Sequence, residues 1–266
     1  MHVRQHFKFT YNPFEREIAS EFLYESSEFQ EALARLLYSC QKRAMMVLTG
    51  EIGAGKSTLL RLLESKLDKN QYLFIYIADS QLTPRNFYIS VLSKLGVQPP
   101  SQLTKLKGAF KTSMMDLFES KRKTPVIAVD EAQALELSML QELRFILNFG
   151  IDSYSPLGLI LAGEPQFRSM IRTPHMAPIW RRVETSYHLV GMSLEETKNY
   201  INHQTKAAGC EHPLFPEDVT AKIHERAKGI PALVNILCKG CLQDAAGREQ
   251  TLISGENVNR VLQEWQ

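Results

Sequence analysis

Short, unbroken apolar runs alternate through the first two thirds of the chain with segments whose apolar positions recur every three or four residues. Met45-Met46-Val47-Leu48-Thr49, Tyr72 to Ala78, Val126 to Asp130 and Leu157 to Ala162 are of strand length and too continuous to have one face in water, and Val183 to Val190 reads as the last strand. Between them, Phe29, Leu33, Leu36 and Leu37 recur at helical spacing, as do Leu103, Leu106, Phe110, Met114 and Leu117, and then Leu140, Leu143 and Leu147. Buried strands alternating with helices predict an α/β fold with a parallel sheet covered by helices on both faces. Local signals punctuate the pattern. Ser27 and Gln30 have the spacing of a capping box, Thr83-Pro84 reads as an N-cap and first helical residue, and Gly96 as a stop. After Gly191 the strands cease. Ser193 and Glu196 form a second capping box for a helix to about Ala208, and further helices start near Pro216, Pro231 and Ser254. Three regions follow: an irregular arm over 1–25 with an aromatic turn at Tyr11-Asn12-Pro13-Phe14, an α/β domain over 26–191, and a small helical domain over 192–266.

At 266 residues and 44% apolar content, the chain can bury one large core or two smaller ones. A net charge of +2 neither demands nor excludes a nucleic-acid partner, because local patches decide that. No apolar run approaches the ~18 residues of a membrane span. The N-terminal Met1-His2-Val3-Arg4-Gln5-His6-Phe7-Lys8 has no apolar stretch of a secretory signal, so a cytoplasmic location is expected. Cys238 and Cys241 are spaced C-x-x-C, but with only Cys40 and Cys210 elsewhere no second pair completes a zinc set. Packing thiols are the expected reading.

The chemistry begins at Gly50-Glu51-Ile52-Gly53-Ala54-Gly55-Lys56-Ser57, which fits the phosphate-loop pattern G-x-x-x-x-G-K-[ST]. It lies between a predicted strand and the apolar helix segment Leu59 to Leu63. Glycines let the backbone turn tightly and aim several N–H groups at one anion, and the helix N-terminus adds partial positive charge. Gly50 through Thr58 are therefore the candidate nucleotide contacts. Lys56 would reach the β- and γ-phosphates of ATP, and Ser57 would hold Mg2+. Asp130 and Glu131 close the strand that starts at Val126. Alone, such a pair fits a helix cap. With the loop upstream, Asp130 is read as approaching the metal and Glu131 as orienting the attacking water, since ligands bind beyond the carboxyl ends of parallel strands.

An α/β nucleotide domain followed by a helical lid resembles the AAA+ ATPases. Asn12-Pro13-Phe14, Glu31-Ala32-Leu33-Ala34-Arg35-Leu36, Leu48-Thr49-Gly50-Glu51, Val129-Asp130-Glu131-Ala132-Gln133, Ala162-Gly163-Glu164-Pro165, Tyr187-His188-Leu189 and Gly229-Ile230-Pro231 together resemble the ExeA-type ATPases, which are close to the transposition regulators TnsC and MuB. Secretion-associated ExeA proteins continue into a membrane span and a periplasmic region, whereas this sequence stops at Gln266. The arm, with Glu15-Arg16-Glu17-Ile18, is more similar to ATPases encoded beside transposases. The resemblance implies an ATP-dependent protein that assembles on double-stranded DNA as a ring or helical filament of its own copies, recruits or stimulates a transposase, and has no membrane partner. It also implies an arginine finger at Arg182, with Arg181 beside it, acting on the neighbouring subunit's nucleotide. Glu164 falls where such proteins place a polar sensor of the γ-phosphate, and it could act through water or a neighbouring arginine. Ala232 stands where relatives often carry a phosphate-contacting arginine, which implies slow hydrolysis without a partner.

The sequence itself offers only scattered cations for DNA: Lys105, Lys107 and Lys111 at near-helical spacing, the run Lys121-Arg122-Lys123, and Arg4 and Lys8 with His2 and His6 in the arm. Repeated along a duplex by a multimer, a few lysines per subunit sum to many phosphate contacts that do not read sequence. Two other readings compete: an ExeA-like ATPase of secretion or envelope assembly, and a weakly hydrolysing nucleotide-controlled switch.

Overall fold

In the computed structural model, five strands, β1 (Met45–Gly50), β2 (Tyr72–Ala78), β3 (Thr124–Asp130), β4 (Gly158–Gly163) and β5 (Val183–Leu189), form one sheet in the order β2-β3-β4-β1-β5. Every neighbouring pair is parallel. The structure describes residues 3–15, 23–79, 81–151 and 153–264; His2 and the arm residues Arg16, Glu17 and Ile18 lie outside them. The interior strands β1, β3 and β4 are buried almost throughout, as their unbroken apolar runs require. The edge strands β2 and β5 expose part of their length.

The helices are α1 (Val3–His6), α2 (Ser27–Lys42), α3 (Lys56–Lys66), α4 (Pro84–Lys94), α5 (Leu103–Met115), α6 (Leu137–Ile146), α7 (Pro165–Ile171), α8 (Ala177–Trp180), α9 (Leu194–Ala207), α10 (Glu217–Ala227), α11 (Pro231–Gly247) and α12 (Gly255–Gln263). Thr83 caps α4 through its hydroxyl, with Pro84 at the first helical position, and Gly96 follows the helix at φ +72°. A π-helical turn over Asp116–Ser120 continues α5.

The chain divides into two compact units. One comprises Glu31–Ile52 and Lys56–Leu189, the other Met1–Gln30, Gly53–Gly55 and Val190–Gln266. The sheet unit centres on Val47, Ile127, Val129, Leu159 and Leu161, covered by Phe87, Phe110, Leu143 and Phe167. Glu142 is a buried acid in this layer: its carboxylate accepts from the Tyr88 hydroxyl at 2.6 Å and pairs with Lys107 at 2.7 Å, pinning α4 and α5 to α6. The helical unit gathers Ile201, Ile223, Val234, Leu237 and Val258, with Cys238 and Cys241 in the same core. Burial pushes the Cys241 thiol up to about 12, so it packs as an uncharged group.

Two local expectations change. The arm is not wholly irregular: α1 forms one helical turn, and Phe7, Phe9 and Phe14 are buried in the core of the helical unit. Phe14 meets Phe215 edge to face at 6.0 Å. Aromatics without periodicity are anchors here, a role no periodic pattern announces. The capping box read at Ser27 and Gln30 is not formed. Ser26 caps instead, its Oγ accepting from Phe29 N at 3.3 Å, while the Gln30 amide donates to Glu25 O. Ser27 is free to turn outward because a better acceptor is present: its N–H and hydroxyl both donate to Glu196 Oε1, at 3.0 and 2.7 Å. The other oxygen of Glu196 closes the expected capping box with Ser193.

Glu196 thus ties the start of α2 to the start of α9. Burial raises its pKa, but the hydrogen bonds from Ser27 and Ser193 outweigh this and the net shift is downward from 4.5. A carboxylate with a lowered folded pKa adds stability above its unfolded pKa and loses it as pH falls through the folded value. Glu196→Ala should therefore cost about 1 kcal/mol near neutrality. Its melting temperature should converge on that of the unmodified protein below the carboxylate range, and parallel pH-melting curves for the two would refute this assignment.

Candidate active site

Gly50 ends β1 and Lys56 begins α3, so the intervening residues form the phosphate loop at the carboxyl end of a central strand. Gly53 (φ +82°) and Gly55 (φ +103°) take left-handed conformations that side chains resist. Gly53 has a second reason to be glycine: within the helical unit, its carbonyl accepts from Ala232 N at 3.2 Å, and a Cβ added there would lie 2.5 Å from that of Ala232. The start of α3 runs against the usual charge preference. It has no acid in its first turn and a lysine at its first position, although helix N-termini favour negative charge. An anion is what this end of the helix lacks for electrostatic balance. The Lys56 ammonium is held over the loop, donating to Gly50 O at 2.8 Å and Glu51 O at 3.1 Å.

Asp130, 2% exposed at the end of β3, is held from three sides. Its Oδ2 accepts from Ser57 Oγ at 2.9 Å and from the Tyr76 hydroxyl at 2.8 Å, and its Oδ1 from Glu131 N at 2.9 Å. This arrangement fits Mg2+. Both side chains offer hard oxygens, and a serine that donates its proton to Asp130 keeps its lone pairs for a cation. Tyr76 was not among the residues singled out from sequence. It sits on β2 directly beside Ala128 of β3, and only strand pairing brings it to Asp130. Burial first, then the bond to Asp130, pushes its phenol up to about 12, so it remains a donor.

Glu131 adopts a left-handed conformation (φ 56°, ψ 37°), uncommon for a residue with a side chain. One 3-10 turn over Ala132–Ala134 follows, and together they fold Gln133 back against it. The Gln133 amide donates to Glu131 Oε2 at 2.6 Å and to Glu164 Oε1 at 3.1 Å, while its oxygen accepts from Glu164 N at 3.0 Å. The partner of Glu164 is thus glutamine, with Gln166 donating to its other oxygen at 3.0 Å. Two like charges are bridged by a neutral amide between the ends of β3 and β4.

On the other side of the loop, Thr49 Oγ1 and His188 Nδ1 are 3.0 Å apart. Burial, and then the charges of Arg168 and Lys56, hold the imidazole below its usual 6.5, so it is uncharged at neutral pH.

Arg181 and Arg182 are not near this loop. They precede β5, whose Val183 is level with Met45 while Leu189 is level with Gly50. The length of a strand, roughly 17 Å at 3.3 Å per residue, separates them from the phosphate loop of their own chain. The lysines read as DNA candidates are also dispersed. Lys105 and Lys121 lie at opposite ends of the continuous helical segment formed by α5 and the π turn. Lys107 is paired with Glu142, and Lys121 with Asp116 at 3.2 Å. The Lys111 ammonium stands 5.6 Å over the Phe149 ring. Arg122 is exposed at φ 55°, and Lys123 is half-buried. Among the described residues, no helix is long and apolar enough to cross a membrane.

Residues 39–171, half of the chain, match the AAA domain family. General secretion pathway protein A of Aeromonas hydrophila is 31% identical over 252 residues, which cover 92% of this chain and 45% of that protein. The chain therefore spans about half the length of this relative. Among solved structures, Cdc6p from Pyrobaculum aerophilum superposes with a TM-score of 0.69 at 15% identity, covering 93% of this chain and 71% of that one. The Aeropyrum pernix ORC1 protein, solved in complex with DNA, gives 0.64 at 15% identity, covering 91% and 66%. These structures share the fold: a parallel α/β sheet with helices and a C-terminal helical part. From the matched family over half of its length, the chain belongs to the AAA domain family, and its sheet has the fold of the P-loop nucleoside triphosphatases.

Proposed function

We propose that this chain binds and hydrolyses ATP and works as an oligomer on double-stranded DNA, where it recruits or activates a transposase. The observation that carries the ATPase part is the 2.9 Å contact of Ser57 with Asp130, which joins the phosphate loop to the acidic strand end. In this reading the N–H groups of Gly50 to Thr58 surround the phosphates and Lys56 moves from its loop carbonyls onto the β- and γ-oxygens. Ser57 and Asp130 hold Mg2+, which supplies neutralisation of phosphate charge. Glu131 orients the attacking water, and Glu164 faces the γ-phosphate end. Arg182, with Arg181 beside it, serves a neighbouring subunit, since a strand's length separates it from its own loop. Residues 26–191 act as the nucleotide domain and 192–266 as the domain that responds to it, with 1–25 as an arm.

Support for DNA as partner comes from the resemblance to transposition ATPases and from the DNA bound to the Aeropyrum pernix structure. A second reading, an ExeA-like ATPase of secretion or envelope assembly, is favoured by the identity to the Aeromonas hydrophila secretion protein.

Duplex binding measured by anisotropy with ATP, with ADP and without nucleotide separates them. The transposition reading expects cooperative, ATP-dependent binding that weakens steeply with salt, because each phosphate contact releases counterions. Arg182→Ala should then slow hydrolysis by roughly 10³-fold or more and weaken assembly, while an isolated subunit still binds ATP. A chain that ignores DNA in every nucleotide state would promote the secretion reading.

A further inference from the structure

Gln133 occupies a place between the two carboxylates that the ATPase reading assigns to the γ-phosphate end of the site. Its amide has two N–H donors and one carbonyl, and all three are committed: 2.6 Å to Glu131 Oε2, 3.1 Å to Glu164 Oε1, and 3.0 Å from Glu164 N. The backbone N–H of Glu164 can bond only the oxygen end of the amide, so the nitrogen end must face both carboxylates. The neighbourhood is built to keep it there. Ala132 is fully buried and sets the 3-10 turn. Gly163, at the end of β4, leaves the space that the amide fills, since a Cβ there would stand 3.0 Å from Gln133 Oε1 and 3.3 Å from Gln133 N. The left-handed backbone at Glu131 is tolerated because the turn that follows it delivers this contact. Strand order gives the direction: β4 lies between β3 and β1, so a Glu131 carboxylate held over the end of β4 is held toward the phosphate loop.

We infer that Gln133 is a positioning residue, fixing the Glu131 carboxylate for water activation and linking its orientation to Glu164. The inference rests on the ATPase reading and deepens it. An amide suits the task because it bonds two carboxylates without adding charge. A carboxylate at 133 would repel both, and an apolar residue would leave Glu131 to rotate away from Glu164.

The test uses the full chain. ATP affinity is measured by calorimetry and single-turnover hydrolysis by phosphate release, for Gln133→Leu, for Glu131→Gln and for the double variant. Gly163→Ala is added because it crowds the same amide from β4 without changing Gln133. Gln133→Leu should slow turnover roughly ten- to a hundredfold, the scale of a small misplacement of a catalytic group, with ATP affinity within about twofold of the unmodified chain. Gly163→Ala should slow turnover in the same sense. In the Glu131→Gln background, Gln133→Leu should cause no further loss, because the group it positions is already inactive. Wild-type turnover in Gln133→Leu with an inactive Glu131→Gln would overturn the inference and leave the ATPase reading intact. So would multiplied losses in the double variant, or a loss of ATP affinity matching the loss of rate. Wild-type turnover in Glu131→Gln would overturn the inference by removing Glu131 from the chemistry, whereas an unmodified chain that neither binds nor hydrolyses ATP would remove the ATPase reading on which the inference rests.

Discussion

Lys56→Ala is expected to abolish ATP binding at concentrations that saturate the unmodified chain, while the protein remains folded. The ammonium makes two hydrogen bonds, both to loop carbonyls, and no core residue depends on it. Its loss leaves Gly50 O and Glu51 O to accept from water at small cost. The bound state loses far more. Two charge-assisted bonds to phosphate at roughly 1.5–3 kcal/mol each correspond to about two to four decades of affinity. The lysine also sits at the start of α3 with no acid in the first turn, so its loss removes a positive charge from the helix end that favours an anion. Calorimetric titration with ATP and Mg2+ reads the loss, and circular dichroism reads the fold. Unchanged affinity in a folded variant would exclude the loop as the nucleotide site.

Glu131→Gln is expected to keep ATP affinity and lower turnover by about 10²–10⁴-fold, the range for removing a general base. Glutamine preserves the shape and can still meet the Gln133 side chain, but it cannot draw a proton from water. Asp130, which the metal reading needs, keeps its bonds to Ser57 and Tyr76 in the variant. The ATP-bound assembly should therefore accumulate, and duplex binding with ATP should become longer-lived. Steady-state phosphate release at the unmodified rate would exclude Glu131 from the chemistry.

Much of this molecule follows from linear spacing. Four apolar runs and the segment from Val183 to Val190 set five buried or edge strands, and their alternation with helical patterns sets a parallel sheet, because only crossover helices can return the chain to the same end. The loop from Gly50 to Ser57 and the acids Asp130 and Glu131 were legible for the same reason: each is short-range, a strand end followed at once by the residues that use it. The caps at Thr83 and Ser193 are likewise local, and both stand where the spacing places them.

The residues that escaped are those whose role is decided across the sheet or between helices. Tyr76 reaches Asp130 only through the pairing of β2 with β3. His188 meets Thr49 only through that of β5 with β1. Gln133 has a local half, the turn after Glu131, but its bond to Glu164 needs β3 and β4 side by side. Lys107 has the periodicity of an exposed helical cation, yet packing sets the buried Glu142 against it. Ser27 has the spacing of a cap, yet Glu196, distant in sequence, offers a charged acceptor stronger than its own helix end. Sequence by itself determined the strands, the loop and the acids, since hydrophobic period and backbone-led motifs act over a few residues. The tertiary structure alone decided which polar side chains are spent on one another, because a hydrogen bond or ion pair depends on distances of about 3 Å that spacing along a chain does not set.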